Sequence, residues 1–266
     1  SFLISPKNKV IRVLCTKRRK LDYSRVSIYV GDTVSVESID WDHCRAVISN
    51  VGLRESFISR PAIANATKVL VALSFKKPKL DFHQASRFLL KAEQTGLTVR
   101  LILTKLDLVS INDIDQNLAR FQKWGYNPIF VSAKTGQGIE ILEDELKKSK
   151  LSVFSGPSGV GKTSLLNRLF PKADLRTADV SGRLQRGRHT TRHVELFNLD
   201  IDSKVADTPG FNRPELHCKP TELAKLFPEL RSQLEKNTCR FRDCLHRDEP
   251  GCAISKDWER YVFYRQ

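Results

Sequence analysis

The chain has 266 residues, of which 40% are apolar, enough to build sizeable cores. No uncharged apolar run approaches the roughly 18 residues of a membrane-spanning helix. The lack of such a run predicts a soluble protein without a membrane partner. No signal-peptide pattern opens the chain, which gives secretion no support. Its 45 Lys and Arg residues outnumber its 30 Asp and Glu residues, for a formal net charge of +15. A soluble protein this basic usually binds a polyanion, most often nucleic acid, although charge also serves solubility.

The first part of the chain contains three β-rich runs, "NKVIRVLCTKRR", "RVSIYVGDTVSVESI" and "CRAVISNVG". Several short strands at close spacing predict a small β-barrel or sandwich, which we place at residues 1–62. The next stretch, "SRPAIAN" at residues 59–65, predicts a linker, because Pro and small residues interrupt the strand pattern.

From Lys68 onward, strand-like and helical runs alternate. The strand-like runs are "VLVALSF", "LTVRLILT", "NPIFVS" and "LSVFS". Between them lie the helical runs "HQASRFLLKAEQTG", residues 114–124 and "GIEILEDELKKS". This alternation favours a parallel sheet with helices on both faces. We place the resulting α/β domain at residues 63–212.

The run "SGPSGVGKTS", residues 155–164, matches the phosphate-binding loop G-x-x-x-x-G-K-[ST]. An apolar strand precedes it, and "KTSLLNRLF" can continue as a helix whose N-terminus attracts phosphate. Its glycines let backbone N–H groups turn inward around phosphate oxygens. Lys162 is predicted to reach the β- and γ-phosphates, and Thr163 to ligate Mg²⁺. The predicted nucleotide contacts of this loop are Gly156, Pro157, Ser158, Gly159, Val160, Gly161, Lys162, Thr163 and Ser164.

Two further motifs, "TKLD" at residues 104–107 and "SAK" at residues 132–134, follow predicted strands. Ligands of open α/β sheets bind just outside the carboxyl ends of strands. At such an edge Asp107 can accept two hydrogen bonds from guanine N1–H and N2–H₂, a donor pair that adenine lacks. "TKLD" alone could be any exposed turn, but with "SAK" and the phosphate loop it predicts a guanine nucleotide. The predicted base contacts are Thr104, Lys105, Asp107, Ser132, Ala133 and Lys134.

A magnesium site is predicted downstream of the phosphate loop. Asp207 opens "DTPG" after a short strand, where a carboxylate holds Mg²⁺ through water and the N–H of Gly210 can contact the γ-phosphate. The run "RGRHTTR" lies between the two motifs, and either Thr190 or Thr191 can close on Mg²⁺. Both hydroxyls remain candidates.

The order of these motifs is unusual. GTPases usually run from the phosphate loop through the switch threonine and DTxG to the base-reading motifs, whereas here the base-reading motifs come first. This order predicts a circular permutation, which is feasible because domain termini often lie close together. The segment after DTPG then connects directly to the next domain.

That next domain, residues 213–266, contains C-x4-C-x-H-x5-C. Three thiols and one imidazole suit a closed, tetrahedral, structural Zn²⁺ site, whereas disulfides are poorly suited to a nucleotide-binding protein. Free buried thiols are the alternative. Helical runs on both sides of the motif predict a small helical zinc-binding domain. The predicted zinc ligands are Cys239, Cys244, His246 and Cys252.

The succession TKLD, SAK, GPSGVGKTS, GRHTT, DTPGF and C-x4-C-x-H-x5-C resembles the RsgA/YjeQ family of circularly permuted GTPases over nearly the whole chain. The resemblance implies an N-terminal OB-fold, a central α/β P-loop GTPase domain and a C-terminal helical zinc-binding domain. It also implies GTP or GDP, Mg²⁺ and one structural Zn²⁺ as ligands. The implied function is a GTPase that acts late in small ribosomal subunit maturation, near the decoding region, and is stimulated by that subunit. One departure is Thr104, where GTPases commonly have an Asn that ties the base loop to the phosphate loop, so somewhat weaker nucleotide affinity is expected.

The sequence leaves open which residue orients the attacking water. Phe211 stands where Ras-like GTPases have a Gln, and Phe cannot orient water, so slow intrinsic hydrolysis is expected. The resemblance points to His189 as the catalytic group, since an imidazole can orient or deprotonate water near neutral pH. The alternative roles of His189 are an rRNA phosphate contact or a loop cap.

Residues 176–192 carry five arginines and one acid, and we expect this switch segment and the first domain to contact rRNA, unless the switch segment is only a solvated loop. Two other functions stay open, namely an ATP-using P-loop enzyme, against which Asp107 argues, and an RNA-binding scaffold with a structural nucleotide. A monomer is expected, in the bacterial cytoplasm or in the stroma or matrix of an organelle of bacterial descent. The predicted RNA contacts are Lys17, Arg18, Arg19, Lys20, Arg183, Arg186 and Arg188.

Overall fold

The first part of the chain forms a mostly antiparallel sheet. The computed structural model describes residues 2–4, 11–23, 26–171, 194–208 and 214–266. Four strands pair in the order β1-β2-β4-β3, with β2 and β4 parallel. A closed OB barrel is not established by these strands and stays a prediction. The elements are β1 (Phe2–Ile4), β2 (Ile11–Lys17), α1 (Arg19–Tyr23), β3 (Val34–Asp40) and β4 (Arg45–Val51).

The segment predicted to be a linker is a hairpin, so that prediction is wrong. Strands β5 (Phe57–Ser59) and β6 (Ala62–Ala64) pair antiparallel, and Ile63 is fully buried. The side-chain amide of Asn65 donates to the carbonyl oxygen of Gly31 over 3.0 Å. Ile58 and Ile63 both pack into a core shared with the central sheet, and this burial favours a hairpin in spite of the proline.

The central sheet has six strands in the order β11-β12-β10-β7-β8-β9. All neighbours are parallel except β11, which runs antiparallel to β12. Every residue of the two middle strands, β7 and β10, is buried, as expected of strands covered on both faces. The strands are β7 (Lys68–Ser74), β8 (Thr98–Thr104), β9 (Ile129–Phe130), β10 (Leu151–Ser155), β11 (Glu195–Asn198) and β12 (Lys204–Asp207).

Helices cover both faces of this sheet, which confirms the predicted α/β architecture. One core contains Phe88 and Phe121 from the helices on one face, and another contains Leu142 and Leu165 from the helices on the other. In the described residues no helix combines the length and apolar character needed to span a bilayer. The helices are α2 (Phe82–Glu93), α3 (Ile111–Lys123), α4 (Ile139–Lys147) and α5 (Lys162–Leu169).

A charge cluster built around the buried pair of Lys68 and Glu145 joins the sheet to α4 at the amino ends of the strands. The ammonium of Lys68 donates to Glu145 Oε1 over 2.7 Å, and Arg100 Nε donates to the same oxygen over 2.8 Å. Burial alone would raise the pKa of Glu145, but these hydrogen bonds lower it to about 2. The cluster therefore holds Glu145 ionised and fixes this edge of the sheet, opposite the carboxyl ends.

The C-terminal part is less helical than predicted. The run "TELAKLFPELRSQLEK" is interrupted because Pro228 begins a new helix and leaves Phe227 extended. The run "SKDWERYVFYRQ" is helical only in its last turn. The apolar core here includes Leu90 of α2, so this part packs directly on the α/β domain. Its helices are α6 (Pro220–Leu223), α7 (Pro228–Leu234) and α8 (Tyr261–Arg265).

A fully buried arginine fastens the C-terminal part to α3. The guanidinium of Arg260 is 0% exposed and donates to Glu229 through Nε, over 2.6 Å, and through Nη2. It lies 4.7 Å from the ring centre of Trp124, the residue that directly follows α3. The indole N–H of Trp124 in turn donates to Glu259 over 2.9 Å. A charge buried this deeply needs its partner, so the contact is sensitive to substitution.

Arg260→Met is expected to destabilise the protein by about 3–5 kcal/mol, because Glu229 is left buried without its counter-charge. Urea unfolding followed by tryptophan fluorescence measures the change in unfolding free energy. The matched control is Arg265→Ala, which removes an exposed pair with Asp248 and should cost less than about 1 kcal/mol. Equal losses in the two variants would contradict a structural role for the buried pair.

A candidate nucleotide site and a candidate metal centre

The predicted nucleotide residues lie at one edge of the central sheet. Strands β7, β8, β9, β10 and β12 are parallel, so their carboxyl ends meet at the same edge. The phosphate loop follows β10, "TKLD" begins at the last residue of β8, and "SAK" follows β9. Asp207 is the last residue of β12, next to β10. This is the edge at which open α/β sheets bind ligands.

Two glycines of the phosphate loop have the positive φ angles that only glycine adopts easily. Gly156 has φ +138°, and a Cβ atom there would lie 2.1 Å from the carbonyl oxygen of Ala72. Gly161, with φ +99°, directly precedes α5. The ammonium of Lys162 donates to the carbonyl oxygens of Gly156 and Pro157 over 2.7 and 2.8 Å. The cation is thus held inside the loop, beside the N-terminus of α5, where an anion is favoured.

Burial perturbs the two charged groups at this point. Desolvation lowers the pKa of Lys162 to about 8, although the nearby Asp207 raises it. Desolvation likewise raises the pKa of Asp207, although Lys162 lowers it. The hydroxyl of Thr208 donates to the carbonyl oxygen of Phe154 over 3.0 Å, which ties the chain after β12 to β10. The sequence analysis did not single out Thr208, although it stands within the "DTPG" motif.

Asp107 is oriented by a neighbour from the second base motif. The hydroxyl of Ser132 donates to Asp107 Oδ1 over 2.6 Å and accepts from the backbone N–H of Thr135 over 3.2 Å. Ser132 is 0% exposed, so its hydroxyl acts by fixing the carboxylate. Lys134 is exposed, and Ala133 is partly buried. The structure therefore brings the "TKLD" and "SAK" motifs together, as predicted from sequence.

Thr104 joins the base motif to the phosphate loop. Its buried hydroxyl lies 2.5 Å from the carbonyl oxygen of Val160 and 3.1 Å from that of Leu73. Lys105 makes a second connection, since its ammonium donates to the carbonyl oxygen of Gly159 over 2.7 Å. Thr104 therefore makes the tie between the two loops that Asn commonly makes in GTPases, and the weaker nucleotide affinity expected from the replacement stays a prediction.

The four predicted zinc ligands cluster near the C-terminus. Their ligand atoms all lie within 4.8 Å of one another. Nδ1 of His246 is 3.5 Å from the sulfur of Cys239 and 3.7 Å from that of Cys252. Tetrahedral Zn²⁺ with Zn–S of ~2.3 Å and Zn–N of ~2.1 Å places sulfur and nitrogen about 3.6 Å apart. The donor set therefore fits a structural zinc ion.

The surroundings of this cluster act in opposite directions on its thiols. The backbone N–H of Ala253 donates to the sulfur of Cys239 over 3.4 Å, a contact that favours a thiolate. Burial and the neighbouring thiols raise the pKa of Cys244 to about 12. A divalent cation would reverse this shift, because it binds the thiolate form.

Several predicted site residues lie outside the described residues. They are the candidate catalytic His189, the magnesium candidates Thr190 and Thr191, Gly210, and the RNA candidates Arg183, Arg186 and Arg188. Of the basic run in the first domain, Lys17 ends β2, and Arg19 and Lys20 begin α1. Arg18 is exposed and pairs with Glu37 over 2.9 Å.

The family model described as RsgA GTPase matches residues 51–217. The chain belongs to the RsgA GTPase family. Two relatives share the name small ribosomal subunit biogenesis GTPase RsgA. The relative from Prochlorococcus marinus (strain MIT 9303) is 58% identical over 256 residues, covering 96% of this chain and 80% of its own. The relative from Synechococcus sp. (strain CC9311) is 57% identical over 255 residues, covering 96% and 84%.

Solved structures agree with this membership in the RsgA family. YjeQ from Thermotoga maritima matches with a TM-score of 0.77 and 31% identity, over 94% of this chain and 84% of its own. YloQ, described as a circularly permuted GTPase, matches with a TM-score of 0.72 and 29% identity, over 92% and 78%. The predicted circular permutation and GTPase activity are thereby confirmed.

In this RsgA-family site, GTP binding should weaken above pH 8. The triphosphate needs the charged form of Lys162, whose pKa of about 8 makes the ammonium the minor form at higher pH. The Kd for GTP should therefore change little near pH 7 and rise towards tenfold per pH unit above pH 8, as protons are taken up on binding. Calorimetry between pH 7 and 9, in buffers of different ionisation enthalpy, measures both effects.

Lys162→Arg is the control for this pH dependence. A guanidinium stays charged over the whole range, so whatever its affinity, the Kd of this variant should not change with pH. A wild-type Kd that is equally flat, with no proton uptake, would contradict the assignment.

Proposed function

We propose that this chain is a GTP-hydrolysing factor that acts late in maturation of the small ribosomal subunit. It binds rRNA there, and its nucleotide state controls its release. The observation that carries the proposal is the junction of the base motif and the phosphate loop through Thr104 and Val160, with Asp107 oriented by Ser132. The name shared by relatives more than half identical to this chain supports the ribosomal role.

The nucleotide roles follow from the chemistry of each group. Asp107 accepts the two guanine hydrogen bonds, Lys105 lies over the base, and the N–H of Ala133 meets guanine O6. Lys162 binds the β- and γ-phosphates, while Thr163 and Asp207 hold Mg²⁺. Mg²⁺, when bound, neutralises charge on the phosphate oxygens. The remaining proposed contacts are the other phosphate-loop residues, the N–H of Gly210, and one hydroxyl of Thr190 and Thr191.

The RNA contacts and the zinc ion complete the proposal. Residues 1–62 form an OB-like domain that binds rRNA through Lys17, Arg18, Arg19 and Lys20, and Arg183, Arg186 and Arg188 contact rRNA beside the nucleotide. Residues 213–266 hold one structural zinc ion. The protein works wherever small subunits mature, in a bacterial cytoplasm or in an organelle of bacterial descent.

The proposed function is tested by measuring GTP and ATP hydrolysis by the protein alone and with purified small or large bacterial ribosomal subunits. Strong stimulation of GTP turnover by the small subunit alone is expected. A GTP hydrolysis rate that neither subunit changes would overturn the ribosomal role. Hydrolysis that stays negligible with either subunit would favour an RNA-binding scaffold. Efficient ATP turnover would favour the alternative P-loop enzyme.

His189→Ala is expected to lower the subunit-stimulated GTPase rate by about 10²-fold or more, because general base positioning contributes roughly 10²–10⁴-fold. The Kd for GTP should change less than about threefold if His189 acts on water rather than on the nucleotide. His193→Ala, four residues further along, is the control and should retain the stimulated rate. Single-turnover hydrolysis with saturating small subunits measures both variants. A parallel loss of subunit binding in His189→Ala would instead indicate an rRNA contact.

A further inference from the structure

The loop between β7 and α2 carries an unusual concentration of positive charge. Its sequence is "KKPK", residues 76–79, and all four residues are exposed. It leaves β7 at the carboxyl edge of the sheet, next to the phosphate loop. We propose that the KKPK loop binds RNA phosphates directly beside the nucleotide site. This proposal rests on the proposed function and adds a binding surface to it.

Among the described residues, nothing neutralises the charges of the KKPK loop. In the described part of the chain, no carboxylate lies within ion-pair distance of Lys76, Lys77 or Lys79. Asp81, the nearest acid in sequence, is engaged in capping α2, since its Oδ1 accepts from the backbone N–H groups of His83 and Gln84. Other surface cations do have partners: Arg18 with Glu37, Arg231 with Glu93, and Lys256 with Asp248.

Two hydrogen bonds fix the backbone of the KKPK loop. The hydroxyl of Ser74 donates to the carbonyl oxygen of Pro78 over 2.8 Å. The N–H of Leu80 donates to the carbonyl oxygen of Phe75 over 3.1 Å and closes the turn. Phe75 itself is buried, so the loop offers no aromatic ring for base stacking. Lysine ammonium groups act as point charges, which suits the phosphate backbone rather than base edges.

The position of the loop connects it to the nucleotide. The ammonium of Lys105 donates both to the carbonyl oxygen of Lys77 and to that of Gly159 in the phosphate loop. A Cβ atom at Gly159 would lie 3.8 Å from Cδ of Pro78, so the two loops are in near contact. Holding the KKPK loop on RNA therefore also holds the carbonyl that positions Lys105. RNA and GTP should each strengthen the binding of the other, since coupling between sites is reciprocal.

The test uses the double variant Lys76→Ala/Lys79→Ala, which leaves the carbonyl of Lys77 in place. Binding to purified small ribosomal subunits, with a GTP analogue that is not hydrolysed, is measured over a series of salt concentrations. The slope of log K against log salt should become shallower by about 1–2, as expected for the loss of one or two phosphate contacts. The Kd for GTP without RNA should stay within about twofold of the wild type.

The matched control is Lys147→Ala/Lys150→Ala, which removes the same charge from exposed lysines at the opposite edge of the sheet. If both double variants change the salt slope equally, the loop is not an RNA contact and only the net charge matters. If the loop variant loses affinity for subunits but not for protein-free small-subunit rRNA, its partner is an acidic protein and the proposal is wrong. Failure of the proposed function differs from failure of the loop proposal, because in the first case the small subunit would not stimulate GTP turnover by the wild-type protein.

Discussion

Asp107→Asn is expected to weaken GTP binding by at least about 100-fold and to make xanthosine triphosphate the preferred nucleotide. The carboxylate accepts from guanine N1–H and N2–H₂, and charged hydrogen bonds contribute about 1.5–3 kcal/mol each. The amide of Asn presents a donor where guanine also presents one, so one hydrogen bond is lost and a donor is buried against a donor. Xanthine carries a carbonyl oxygen at that position, which restores the pair.

Competition between labelled GTP and unlabelled GTP, XTP and ATP measures this change in preference. The fold should survive, because the amide oxygen of the substituted side chain can still accept from Ser132, as Asp107 does over 2.6 Å. Asp115→Asn, at an exposed position on α3, is the control and should leave GTP binding unchanged. Unaltered GTP binding in Asp107→Asn would show that the base is read elsewhere.

Cys244→Ser is expected to remove the zinc ion and unfold the C-terminal part around it. Structural zinc contributes about 10–16 kcal/mol in small zinc domains, more than a module of this size can replace by packing. Wild-type protein should contain one zinc ion per chain by elemental analysis, and the variant close to none. Limited proteolysis should then cleave within residues 214–266 of the variant only.

The controls for Cys244→Ser are a thiol outside the cluster and the nucleotide site. Cys218→Ser removes a thiol outside the cluster and should keep both the zinc and the protease resistance. GTP binding by Cys244→Ser should fall less than about threefold, because none of the described nucleotide residues belongs to the cluster. Wild-type protein that folds and resists protease without any metal would refute the structural role of zinc.

Much of the α/β domain could be predicted from local sequence. Strands β7 and β10 are continuous apolar runs because both faces are covered, and that pattern is visible without a structure. The nucleotide motifs could be located because their chemistry requires fixed residue types at strand ends. The helix break at Pro228 was missed, although a proline at a helix start is a readable signal.

The rest depended on contacts between distant residues. The hairpin at Ile63 was read as a linker, because its burial comes from packing against the central sheet rather than from its own sequence. Nothing in "DWERY" distinguishes the buried Arg260 from an exposed arginine, since Glu229 and Trp124 are far away in the chain. The prediction for Thr104 considered only the Asn that GTPases commonly have at this position. The structure shows that the Thr104 hydroxyl joins the base loop to the phosphate loop through the carbonyl oxygen of Val160.

The permuted strand order also decides when the site assembles on a translating ribosome. Strands β7, β8 and β9 emerge first, followed by β10, which pairs with β7, and later by β12, which pairs with β10. Each of β8, β9, β10 and β12 can thus add to a free edge, and none has to insert between two strands already paired. Until β10 emerges, β7 exposes an apolar, unpaired edge, the kind of surface that aggregates. The base-reading residues of the nascent protein are therefore synthesised before its phosphate loop. The proposed magnesium carboxylate, Asp207, is synthesised last.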